Sequence, residues 1–96
     1  MHAVTITRHG SDSAGEYHAH IAGETAIGRL TWVQRGAVRI AEHTLVPAEI
    51  GGRGVAARLV EALIADARDQ GFTIEPACSY VEAAFRRHPE WAALRA

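Results

Sequence analysis

The chain has no lysine: all ten of its basic residues are arginine. No side-chain amine is therefore available for modification, which leaves the α-amino group alone. Cysteine occurs once, at Cys78, so an internal disulfide is excluded and a reducing compartment is implied. No apolar run approaches the length of a membrane span, and Met1-His2-Ala3-Val4 lacks the charged-then-apolar order of a secretory leader. The expected compartment is the cytoplasm, with no membrane partner. A formal net charge of -1 gives no polyanion-binding surface overall, so nucleic acid is not an expected partner either.

What remains is an ordinary globule, 48% hydrophobic and 22% charged in 96 residues, enough for one domain spanning 1–96 with one modest core. Apolar and polar residues alternate from Val4 to Arg8 and, more loosely, from Tyr17 to Ala22. Ile27 to Val33 and Val38 to Val46 read as two further strands. Turns fall at residues 10–15, Gly23-Glu24 and Arg35-Gly36, which predicts an antiparallel meander.

The period then changes. Val55, Leu59, Val60, Leu63, Ile64 and Ala67 recur at helical spacing from Gly54 to Gln70, with Arg58, Glu61, Asp66, Arg68 and Asp69 assigned to the opposite face. Gly71 falls where a left-handed cap ends a helix. Phe72 to Ala77 returns to a strand, marked as an edge by Pro76, and Tyr80 to Arg87 forms a short helix that stops before Pro89. Trp91 and Leu94 fold the tail back on the core. The predicted class is α+β, a mostly antiparallel sheet with the long helix over one face.

Between strand and long helix lies Leu45-Val46-Pro47-Ala48-Glu49-Ile50-Gly51-Gly52-Arg53-Gly54-Val55-Ala56. Glycines here permit a tight turn with amides pointing inward, and the helix start adds the positive end of its dipole. Such a loop receives a phosphate or pyrophosphate. Gly52 to Ala57 also satisfies G-x-G-x-x-A, with Glu75 at the distance of a ribose-binding acid. That fingerprint, however, belongs to the first strand of a parallel sheet, and here a meander precedes it. A Walker loop fails because no Lys-Ser/Thr follows. The remaining alternative is a connection without a ligand.

The strand, the Val-Pro pair, the Gly-x-Gly-x-Ala and the long amphipathic helix together resemble motif A of the GNAT acetyltransferases, which use acetyl-CoA. More narrowly, His43-Thr44-x-Val46-Pro47, Gly52-Arg53-Gly54-Val55-Ala56, Pro76-x-Cys78-x-Tyr80-Val81 and Arg87-His88-Pro89-Glu90 are similar to the very short YjdJ-type branch of predicted N-acetyltransferases. The resemblance implies a minimal GNAT-like domain whose cosubstrate is acetyl-CoA, with transfer to a primary amine of a protein, peptide or small molecule. It implies that Thr44, Leu45 and Val46 bond the pantetheine arm, and that Gly51, Gly52, Arg53, Gly54, Val55 and Ala56 cradle the pyrophosphate. Gly51 stands where many relatives have Gln or Arg, so Arg53 or Arg58 would restore the charge. Phe85 occupies the coenzyme-facing slot where many relatives carry an acidic tyrosine. That departure keeps a second class open: a CoA- or acyl-CoA-binding module without turnover.

Acetyl transfer needs a free amine, a polarised carbonyl and a proton for the departing thiolate. His43 is the candidate base, because imidazole titrates near working pH, and Glu42 is its substitute through water. The two alternate along their strand, so only one is expected to face the acyl group. The plain alternative for His43 is a histidine that only organises its strand. Cys78 is a candidate nucleophile or a buried packing unit, and Tyr80 a candidate acid or a packing aromatic. The amide near Leu45 or Val46 is the candidate oxyanion donor. His18 and His20 form an H-x-H without cysteine or carboxylate partners at recognisable spacing, and no metal is assigned to them. Trp32 and Trp91 are placed in the core or at the contact of a weak homodimer.

Overall fold

In the computed structural model, residues 3–96 are described; Met1 and His2, part of the segment read above for a leader, lie outside them. The alternating segments form β1 (Val4–Gly10), β2 (Ala14–Ile21), β3 (Ile27–Arg35) and β4 (Val38–Leu45), each antiparallel to the next. A 3-10 turn at Ala48–Ile50 and the glycines lead into α1 (Val55–Gln70), after which β5 (Thr73–Pro76) pairs parallel to β4 at the sheet edge. The chain ends in α2 (Ser79–Arg87) and a 3-10 segment, Pro89–Leu94. No helix among the described residues is long and apolar enough to cross a membrane.

One sheet face carries Tyr17, Ala19, Ile21, Leu30, Trp32 and Ala41, all buried, and α1 lies on it through Val55, Leu59, Val60 and Leu63. Gly28 lets the helix sit close, since a Cβ there would lie 2.7 Å from Val55 Cγ1. Gly71 caps α1 at φ 79°, with its amide bonded to the Ala67 carbonyl. Phe85 meets Trp91 edge to face, ring centroids 6.0 Å apart, so the tail packs inward as its apolar spacing implied. Among the described residues, no helix lies on the opposite sheet face. That face carries Thr7, His9, Glu16, His18, His20, Thr31 and His43.

Two expectations are corrected. Asp66, assigned to the solvent face of α1, is buried. Arg8 grips its carboxylate through Nε and Nη2 at 2.9–3.2 Å, and the Tyr17 hydroxyl donates to Oδ2 at 2.8 Å. These partners offset the desolvation that normally keeps a carboxylate outside. Arg39 is buried beside them, donating to Tyr17 Oη and Gln34 and sandwiched between the Trp32 and Phe72 rings at 3.6 and 4.2 Å.

The second correction concerns Glu42 and His43. Thr31 pairs with His43 and Trp32 with Ala41, so Glu42 is an extra residue, a β-bulge in β4. The bulge breaks strict alternation, and both side chains line one hollow on the open face.

Candidate functional site

The glycine loop is built by its backbone. Gly52 and Gly54 both have φ 73°, a left-handed conformation that other residues adopt only with strain, and Gly54 caps the start of α1. The first turn of the helix contains no acidic residue to compensate its positive end. The Gly51 amide bonds the Ala48 carbonyl. Among the described residues, no carbonyl accepts from the amides of residues 52–57. Those donors border a depression of about 280 Å³, lined by Val46, Gly51, Gly52, Gly54, Val55, Ala56, Ala57 and Tyr80.

The arginines suggested for this loop are engaged elsewhere. Arg53 reaches Glu24 and the Glu49 carbonyl, each at 3.4 Å, while Arg58 lies 3.5 Å from Glu61. The cradle therefore consists of amides and a helix dipole, without a guanidinium turned inward.

From the depression the opening continues between β4 and α2. The β4–β5 ladder stops at Ala41–Pro76, and the Cys78 amide closes it on the Ala41 carbonyl at 3.0 Å. Beyond that point, along Glu42 to Leu45, β4 has no strand partner on this side among the described residues. Thr44, half-buried, pairs with Leu30 and so shares the α1 side of the sheet, whereas Leu45 is 48% exposed. Such an edge offers its peptide groups to an extended ligand.

Cys78 caps the N-terminus of α2, and its Sγ lies 3.4 Å from Thr44 Oγ1. Burial pushes the thiol up. The Thr44 side chain and the backbones of Val81, Tyr80 and Thr44 outweigh it together, leaving the thiol below its ordinary value. Tyr80 joins the depression to this corner, with Arg87 over its ring at 5.8 Å. Phe85 is not brought here: its ring is buried against Trp91.

His43 is exposed and Glu42 half-buried, and both line a hollow of about 600 Å³ on the open face, together with His9, Glu16, His18 and Thr31. Thr31 Oγ1 is the single buried side-chain oxygen or nitrogen without a hydrogen-bond partner among the described residues. An orphaned hydroxyl in a hollow is a place where a ligand's polar group replaces lost water. Sequence reasoning had no signal for Thr31 or for Arg39, since both depend on which strand lies alongside.

A meander, a parallel fifth strand that splays from β4, and an amide-lined helix start beside the splay define a small α+β domain. The family model for GCN5-related N-acetyl-transferase matches residues 16–94, from β2 to the tail. The chain belongs to the GCN5-related N-acetyltransferase family. Among curated proteins, none matches it.

Proposed function

We propose that this chain, acting as a single domain, binds acetyl-CoA and transfers its acetyl group to a primary amine of a protein, peptide or small molecule. The observation that carries this reading is the run of free amides at residues 52–57 leading to the unpaired edge of β4. A diphosphate suits the first. A pantetheine arm, extended and rich in amides, suits Thr44, Leu45 and Val46 at the second.

The thioester then reaches the β4 bulge. His43 takes a proton from the acceptor ammonium, with Glu42 beside it as a second carboxylate-based route through water. The amine nitrogen attacks the carbonyl carbon, the C–N bond forms, and the oxyanion is met by the amide near Leu45 or Val46. As the C–S bond breaks, the attacking nitrogen gives its second proton to solvent and the CoA thiolate receives one from Tyr80 or solvent. A covalent variant is favoured by the lowered thiol of Cys78: sulfur attacks first, CoA leaves, and the amine then resolves the acetyl-cysteine.

Amine screening at saturating acetyl-CoA, read as CoA release, tests the reading; CoA-dependent thermal stabilisation with no turnover on any amine would overturn it. That outcome would support a carrier or sensor of acyl-CoA instead. Mass spectrometry of the protein mixed with acetyl-CoA alone separates the two transfer routes, because only the covalent one leaves acetyl on Cys78.

A further inference from the structure

The H-x-H of β2 gains a third imidazole in the fold. His9 on β1 pairs with Glu16 and Thr7 pairs with His18, so His9, His18 and His20 project from the same open sheet face. One ring nitrogen from each lies within 4.8 Å of the other two. The His9 and His18 rings are 4.0 Å apart between centroids, and those of His18 and His20 are 6.3 Å apart. Thr7 Oγ1 stands between two of them, 2.7 Å from His9 Nε2 and 2.9 Å from His20 Nε2. Glu16 Oε1 lies 2.8 Å from His18 Nε2, and the Arg29 guanidinium approaches the same carboxylate oxygen at 3.9 Å.

We propose that His9, His18 and His20 form a binding site for one divalent late transition-metal ion, of which zinc is the reference case. Three imidazoles with an open fourth position are a zinc-type donor set, and imidazole favours zinc, nickel and copper over magnesium or calcium. Metal–nitrogen bonds of about 2.0–2.1 Å in tetrahedral array place the nitrogens about 3.4 Å apart. The cluster therefore needs only side-chain rotation to close. The backbone beneath it is a regular two-strand ladder, which fixes the relative height of the three rings. Thr7 has one hydroxyl hydrogen, so it donates to one of the two Nε2 atoms and accepts from the other. When it turns aside both Nε2 atoms are released, the second as a ligand once its ring carries its proton on Nδ1. Glu16 supplies the carboxylate that orients a ligating imidazole. Because His9 and His18 also line the hollow that holds Glu42 and His43, the fourth position faces that hollow. The site does not depend on acetyl transfer.

Calorimetric titration of the untagged, chelator-stripped chain with zinc chloride tests it, with magnesium chloride as the comparison. The expected result is one zinc per chain and no magnesium. His18→Ala and His20→Ala should each weaken binding at least about tenfold, Glu16→Gln about tenfold, and Cys78→Ser not at all. Histidine ring NMR signals of the unmutated chain give a readout independent of whether the variants fold. Those of His9, His18 and His20 should move on zinc addition, while that of His88 stays. Absence of zinc binding, or zinc binding unchanged in a folded His18→Ala/His20→Ala double variant, would overturn the proposal.

Discussion

The Tyr17 hydroxyl donates to Asp66 Oδ2 at 2.8 Å, joining the middle of the sheet to the last third of α1. Arg8 on one side and Arg39 on the other complete a chain of charge-assisted bonds that holds the helix against the strands. Removing the carboxylate leaves the Arg8 guanidinium and the Tyr17 phenol with unmatched donors, while Arg39 keeps Tyr17 Oη and Gln34. Asp66→Ala should therefore destabilise the fold by about 3 kcal/mol. Urea unfolding measures this, and a loss below about 1 kcal/mol would contradict the role given to the network.

Burial, reinforced by Asp66 and opposed by Arg39, raises the Tyr17 phenol well above its ordinary value. The folded state therefore holds this proton where the unfolded chain has released it. The contribution is complete below the unfolded value near 10 and falls as pH rises beyond it, by up to about 1.4 kcal/mol per pH unit. Lysine titration does not obscure this window, because the chain has none. Unfolding free energies measured from pH 9 to 11.5 should decline, and Tyr17→Phe should flatten the slope.

At the other end of the sheet, Thr44→Val removes the hydroxyl that helps lower the Cys78 thiol. The thiolate fraction at neutral pH should fall, and alkylation by iodoacetamide should slow several-fold, with its pH profile displaced upward. An unchanged profile would leave the backbones of Val81, Tyr80 and Thr44 as the cause.

Gly54→Ala places a Cβ at φ 73°, where space is free but the backbone is strained. The expected stability cost is about 1 kcal/mol. Its larger effect should be on ligand response: thermal stabilisation by CoA should shrink as the loop amides turn away. Equal stabilisation of variant and parent would show that the loop does not contact the diphosphate.

For catalysis, His43→Ala should lower kcat by about a hundredfold with little change in KM, the signature of a lost proton acceptor. Glu42→Gln should cost less. Steady-state assays on any accepted amine decide this, and an unaltered kcat would return His43 to a purely structural role.

The local features were legible from residue spacing: four strands, the 3.6-residue period of α1, Gly71 as its cap, Pro76 at the edge and the amide-bearing loop. What escaped depends on partners distant in the chain. Asp66 looks like a solvent residue until Arg8 and Tyr17 are placed beside it. His9 joins the H-x-H only once the β1–β2 register is known. The bulge at Glu42 has no spacing signal at all, because β4 alone alternates plausibly in either phase; only pairing with β3 fixes it.

That single additional residue has a geometric result of its own. Ala41 pairs with Trp32 and His43 with Thr31, so the flanking pairs would remain in step if Glu42 were deleted. The inserted peptide unit resets the parity of everything after it, turning Thr44 toward Cys78 and His43 toward the uncovered side. One backbone thus separates a thiol on the helix side of the sheet from an imidazole on the open side.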